Sequence, residues 1–331
     1  MIENKFYIFI YFFISFLILG FITKVSYRLN LLDIPNKRKK HIKPTAYTGG
    51  LALSLIYIAA IFIFDIYNQK LNLILSLSFL IGIVGFIDDK YFLNIGSKLS
   101  LQIIPIIYLI ILENLKLTQI GNYDLFTLEL GSLAVPFTLL SILFLINSFN
   151  YFDGLDGSLA TTTISVLFIL YFLTNNDEIK LFLLMVLIPI FSFLFFNFSL
   201  FKLPKLFLGD SGSLLLGFII AFTLIHIANE NAIHPILLAF SISIFVYEFL
   251  SINIIRLINK KNIFMASQDH LHHIILRNTK SIFQTNLFLS IINILLFFIG
   301  YLSFLFINPI VSLILFLLLF KIFFFIRYKY K

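Results

Sequence analysis

The chain contains no cysteine in 331 residues. Disulfides and thiolate metal sites are therefore excluded, and the redox compartment leaves no mark. Charge is scarce as well: 12% of residues are Asp, Glu, Lys or Arg against 60% hydrophobic, with a mean hydropathy of +1.02. A soluble domain of that balance would leave large apolar patches facing water. A length that would suit two soluble domains therefore reads as one helical membrane bundle. Walker A loop, dinucleotide glycine fingerprint and Gly-x-Ser-x-Gly elbow are all missing. Phosphate chemistry in such a chain must rest on carboxylates, a metal and basic side chains. There is no internal repeat and no low-complexity linker, which weighs against inverted-repeat transporters.

Apolar stretches make up most of what is present. About eleven approach the ~20 residues a bilayer requires, over 6–23, 49–67, 71–88, 98–115, 132–149, 155–174, 179–198, 211–228, 232–258, 283–306 and 308–326. The first has no small-residue cleavage site and is expected to stay as a helix rather than leave as a signal peptide. With the N-terminus outside and the C-terminus cytoplasmic, the first inside loop alone collects Lys24, Arg28, Lys37, Arg38, Lys39, Lys40 and Lys43, whereas the outside segments hold only Lys5, Lys70, Lys116 and Lys180. That asymmetry is a positive-inside signal. The net charge of +8 then describes a basic cytoplasmic face suited to anionic headgroups and phosphates. Nucleic acid is not an expected partner, because no soluble basic domain is present.

The same threading puts five polar clusters inside: 33–50 (DIPNKRKKHIKPTAYTGG), Asp88-Asp89, 147–157 (NSFNYFDGLDG), 207–213 (FLGDSGS) and 270–273 (HLHH). Carboxylates, amides and imidazoles are costly near lipid, so this many on one face read as a site. Asp88-Asp89 could be only a solvated helix end, but two carboxylates at a helix C-terminus oppose the dipole and suggest a cation or proton partner. Asn147, Asn150 and Asp153 recur every three residues and share a helix face, with Asp156 beyond Gly154. That exceeds what a turn requires. Asp210 could simply cap a helix, although a helix start with Ser211, Gly212 and Ser213 also suits an anion, and its carboxylate suits Mg²⁺ bridging to a diphosphate. His270, His272 and His273 lack the zinc-helix signature and can instead donate to phosphate oxygens. His226 and His234 read as ordinary loop or helix-end residues, and no role is assigned to Glu248 or Asp65.

In this order the motifs resemble those of the polyprenyl-phosphate N-acetylhexosamine-1-phosphate transferases. That membrane family includes the WecA and TagO type enzymes and the related MraY. The similarity runs from the basic loop ending at Gly49-Gly50 through Asp88-Asp89, NxxNxxDGLDG and FLGDSGS to HLHH, nearly the whole chain. It implies an all-α, polytopic, single-domain transferase of the inner membrane, its active site built from cytoplasmic loops 24–48, 88–98, 147–157, 199–213 and 259–282. The implied reaction passes an N-acetylhexosamine 1-phosphate, GlcNAc 1-phosphate foremost, from a UDP-sugar to undecaprenyl phosphate with release of UMP, as the first membrane step of an envelope polysaccharide. Mg²⁺ is the implied cofactor, with Mn²⁺ as a substitute, and a homodimer is an open assembly.

By motif, Asp210 resembles the principal magnesium ligand and Asp153 a further metal-site or catalytic carboxylate. Asp88 and Asp89 resemble the pair serving the lipid phosphate, one of them a base. Asn147, Asn150, Leu155 and Asp156 resemble the nucleotide pocket, and Phe207 the aromatic that stacks on uracil. His270, His272 and His273 resemble donors to the diphosphate, with His41 and Lys43 as substrate contacts in the basic loop. Ser267-Gln268 stands where the family often has Asp-Arg, and the 44–50 loop fits neither branch closely. HLHH, rather than three consecutive histidines, favours the WecA and TagO branch over an MraY-type phospho-MurNAc-pentapeptide transferase. The rivals from other classes are a transporter, whose acids should lie mid-span, and a non-catalytic polyprenyl-phosphate-binding protein.

Overall fold

The structure is a computed structural model and describes residues 2–35, 43–64, 66–230, 233–262 and 269–330. In chain order its elements are α1 (Ile2–Arg28), β1 (Leu32–Asp33), β2 (Thr45–Ala46), α2 (Gly49–Ile63), α3 (Gln69–Tyr91), α4 (Ile95–Ile107), β3 (Gln119–Asn122), β4 (Thr127–Glu129), α5 (Ala134–Phe152), α6 (Ser158–Leu173), α7 (Asp177–Asn197), α8 (Gly209–Asn229), α9 (Pro235–Ser241), α10 (Ser243–Ile258), α11 (Leu271–Thr279), α12 (Ile282–Phe306) and α13 (Pro309–Lys329). Two antiparallel strand pairs, β1 with β2 and β3 with β4, are the sheet structure among the described residues. A multi-pass membrane protein built from helices is the result, as a bilayer demands of a backbone that must satisfy itself.

Helices cover all eleven apolar stretches, but not all equally. Among the described residues, eight helices are long and apolar enough to cross a membrane, and α9 with α10, bent by 71°, makes a ninth if the pair is one span. The stretches at 49–67 and 155–174 form α2 and α6, shorter apolar helices of 15 and 16 residues. The stretch at 232–258, read as continuous, breaks at Ile242.

The chain falls into two compact units, Met1–Asn114 with Asn175–Thr223, and Leu115–Thr174 with Leu224–Lys331. In the first, α1 packs on α2 and α7, α2 on α3, and α3 on α4. Pro189 inside α7 has no N–H to offer the carbonyl four residues back, that of Met185. The buried Tyr11 hydroxyl of α1 donates to that carbonyl at 3.0 Å, and Tyr57 of α2 donates to the next one, Val186, at 3.1 Å. Tyr11 thus repairs the proline defect, and the two tyrosines fix three helices together. Close approach also requires Gly85 of α3, where any Cβ would overlap the Asp210–Ser211 backbone at the start of α8.

In the second unit α12 packs on α6 and α9, and α10 on α5 and α13. The break between α9 and α10 leaves the Ser241 carbonyl without a helical donor. Fully buried Asn293 of α12 supplies one at 2.9 Å and reaches Ser165 of α6 at 3.1 Å. His234 accepts the Ile236 N–H at Nδ1, so its Nε2–H donates to the Asn122 carbonyl at 2.8 Å and ties α9 to the strand pair.

Candidate active site

Each unit carries one polar cluster. In the first, α3 ends in Asp88-Asp89 and turns through Phe92, in the left-handed region, to Asn94, whose side chain caps α4 by accepting the Ser97 N–H at 2.8 Å. The tight turn brings Lys98, in the first turn of α4, back over the end of α3. Its ammonium pairs with Asp88 at 2.7 Å and with Asp210, 112 residues away at the start of α8. Asp88 also accepts the Leu93 N–H at 2.8 Å, which holds its second oxygen to the turn.

Asp89 has a different task. Its two oxygens accept the N–H groups of Asp210 and Ser211, at 3.1 and 3.3 Å, and so cap α8 from another helix. A carboxylate suits these donors and the positive end of the dipole. The FLGDSGS segment is fixed from its other side by main-chain bonds: Phe207 N–H to Ala46 O (2.7 Å), Gly49 N–H to Phe207 O (3.0 Å) and Gly50 N–H to Leu208 O (2.9 Å). Phe207 is half-buried with the Lys205 ammonium 5.2 Å from its ring centre. Lys43 is exposed, and His41, like Ser267, Gln268 and Asp65, lies outside the described residues.

In the second unit the NSFNYFDGLDG turn packs on the HLHH helix. A Cβ at Gly154 would overlap the Nε2 edge of the His272 ring, so only glycine admits this approach. Tyr151 meets His270 edge-on at 5.0 Å, and the His270 and His272 rings lie parallel at 5.6 Å. Arg256 of α10 sits 5.6 Å over the Tyr151 ring and is 4% exposed. The turn is further held by Asn286 of α12, donating to the Asp156 carbonyl at 2.8 Å, and by Ser158, donating to the Phe152 and Leu155 carbonyls. Asn147 spends its amide N–H on the Leu143 carbonyl of its own helix. Burial first, then the positive charge of Arg256, His273 and Arg327, pushes His270 down to about 3, with Asp269 acting the other way. His270 is therefore neutral at pH 7, and its Nδ1 is buried without a hydrogen-bond partner among the described residues.

The structure thus brings Asp88, Asp89 and Asp210 together, and separately the 151–156 turn with His270 and His272. Asp153 and Asp210, the two magnesium candidates, fall in different units.

Residues 71–228 match the sequence pattern of glycosyl transferase family 4. The chain is 30% identical over 264 residues to a Bacillus subtilis protein named "Probable undecaprenyl-phosphate N-acetylglucosaminyl 1-phosphate transferase", covering 76% of this chain and 71% of that one. The chain belongs to this glycosyl transferase family. A Yersinia pestis relative named undecaprenyl-phosphate alpha-N-acetylglucosaminyl 1-phosphate transferase is 28% identical, covering 77% of this chain and 72% of its own length. A protein of the same name from Escherichia coli K12 is 25% identical over 271 residues, covering 79% and 73%.

For a family 4 protein the sequence reading missed Lys98 as a partner of the carboxylates, and Tyr151, Arg256, Glu248 and Arg327 around the histidines. Lys98 closes loop 88–98, and the sequence assigns it no role. Its signal was the Asn94 cap that follows Asp88-Asp89, since a helix–turn–helix with so short a link returns the next first turn to the previous last one.

Proposed function

We propose that this family 4 protein transfers an N-acetylhexosamine 1-phosphate, GlcNAc 1-phosphate foremost, from its UDP conjugate to undecaprenyl phosphate, as the first membrane step of a cell-envelope polysaccharide such as O-antigen or teichoic acid. The observation that carries the reading is the convergence of Asp88 and Asp210, from two distant motifs, on one cationic centre in a membrane protein of this family. Two unit negative charges about 4 Å apart repel by about 4 kcal/mol at an effective dielectric near 20, and a lipid phosphate meeting a diphosphate must overcome such repulsion.

The donor set fits Mg²⁺. Two carboxylates already aim at one positive point, and magnesium takes one or two carboxylates and fills its shell with water or phosphate oxygens. Among the described residues no group of three acidic or histidine side chains is placed to hold a metal ion, and magnesium does not need one. Asp210 would hold the ion, with Asp153 a further carboxylate by motif and Mn²⁺ a substitute. When bound, the ion neutralises developing phosphate charge.

The chain's own residues do the rest. Lys98 supplies a fixed ammonium beside the carboxylates. One carboxylate of the Asp88-Asp89 pair takes the remaining proton of the lipid phosphate. Asp89 already serves to hold α8, which leaves Asp88 the better base. An oxygen of the lipid phosphate then attacks the sugar-proximal phosphorus, forming a new P–O bond as the bond to the uridine-bearing phosphate breaks, and UMP leaves. Neutral His270, with His272 and His273, donates N–H groups to diphosphate oxygens, while Phe207 stacks on uracil and Asn150, Leu155 and Asp156 line the nucleotide pocket. Catalysis is mostly positioning and electrostatic stabilisation.

Purified protein given UDP-GlcNAc, undecaprenyl phosphate and Mg²⁺ is expected to release UMP, and omission of the lipid or addition of EDTA to abolish it. Release that ignores the lipid would contradict the reading. We further propose eleven crossings in the inner membrane, with the N-terminus outside and the site cytoplasmic. The absence of native cysteine makes this easy to test: Lys70→Cys should react with an impermeant maleimide on intact cells, and Lys261→Cys only after permeabilisation. The opposite pattern would invert the topology.

A further inference from the structure

Glu248 and Arg327 form an ion pair 1% and 3% exposed, inside a helical membrane protein, where an ionised pair is costly and needs a reason. Its geometry is a planar fork: Arg327 Nε donates to Glu248 Oε2 at 2.6 Å and Nη2 to Oε1 at 3.0 Å. Each partner also makes one further bond, and both go to the same short segment. Glu248 Oε1 accepts the N–H of Leu271 at 2.9 Å, and Arg327 Nη2 donates to the carbonyl of Asp269 at 2.6 Å. The residue between those two main-chain groups is His270. The Leu271 N–H is one of the donors that a helix start leaves without an internal partner, and His270 at the cap position offers no side-chain bond of its own.

We propose that Glu248 and Arg327 are positioning residues for the histidine helix, clamping the backbone on both sides of His270 and so setting where its imidazole, and that of His272 stacked on it, stand. This rests on the reading of the histidines as donors to the substrate diphosphate. Arg327 belongs to α13 and Glu248 to α10, so the clamp makes the last turn of α13 part of the machinery rather than a membrane anchor alone. His270 is faced by Tyr151 of α5, Arg256 of α10 and Arg327 of α13, and by Asp269, His272 and His273 of its own segment. The clamp is the part that bonds to the backbone.

The test separates positioning from stability. Removing one partner would strand a buried charge, whereas replacing both by apolar residues of similar size leaves stability near that of the parent. Glu248→Met/Arg327→Met is therefore expected to melt close to the wild type in detergent yet lose about 100-fold in kcat/KM for UDP-GlcNAc, with KM raised and kcat lowered, because the histidines are no longer held. Equal melting with unchanged kinetics would overturn the proposal.

If the double variant melts early, Arg327→Lys decides. Lysine keeps the charge but lacks the fork that reaches both Glu248 and the Asp269 carbonyl, so activity should fall at wild-type stability, and full activity would overturn the clamp. A second readout does not depend on turnover. In histidine-labelled protein, with the signal assigned through His270→Gln, His270 should titrate above its wild-type range in Arg327→Lys, which keeps the positive charge near His270 and loses only the fork. An unchanged titration contradicts the clamp, whereas a shifted titration in a protein that transfers no sugar phosphate contradicts only the proposed reaction.

Discussion

Asp210→Asn is expected to cut lipid-dependent UMP release by about 1000-fold, since the carboxylate contributes several kcal/mol of charge stabilisation through the ion it would hold. The fold should survive. The groups of residue 210 that organise α8 are its backbone N–H, held by Asp89, and its carbonyl, which accepts from Ser213 at 3.3 Å, and neither changes. An amide oxygen can still accept from Lys98. Loss of activity with an unchanged melting curve is therefore the signature of a site residue. Retention of a tenth or more of the activity would remove Asp210 from the centre of the site.

Lys98→Met is the second large effect. The ammonium stands between Asp88 and Asp210, and its side chain is 18% exposed, so methionine can fill the space without leaving a buried void. Without it the two carboxylates face each other with no protein counter-charge. The expected fall in kcat is about 100-fold, as for loss of one preorganised electrostatic donor. The half-saturating magnesium concentration should fall as well, because the carboxylates lose a competing cation. Lys98→Arg should recover part of the rate. A kcat unaffected by Lys98→Met would mean that the lysine only neutralises the carboxylates in the resting protein.

Much of this arrangement was legible in the sequence, for a physical reason. Spans and polar clusters are local signals: an apolar run of bilayer length, a cap, a glycine before an aspartate. Each of the eleven runs is helical, and Asp88, Asp89 and Asp210, from two separate motifs, lie together. What was not legible depends on partners far along the chain. Ile242, where α9 gives way to α10, is flanked by serines and apolar residues with no proline or glycine, and the freed Ser241 carbonyl is satisfied only by Asn293. Arg327 resembles any basic residue closing the last span on the inside, yet it is buried against Glu248, 79 residues earlier. Asp89 looked equivalent to Asp88, and only the fold shows that one faces Lys98 while the other caps α8.

The most direct test of the account is to follow the two phosphates of the donor. UDP-GlcNAc labelled at the sugar-proximal phosphate should deliver its label to the lipid in the presence of undecaprenyl phosphate and Mg²⁺, with uridine released as UMP. Label remaining in water-soluble UDP while sugar alone reached the lipid would contradict the central claim, because the bond broken would then be the glycosidic one and not the one between the phosphates.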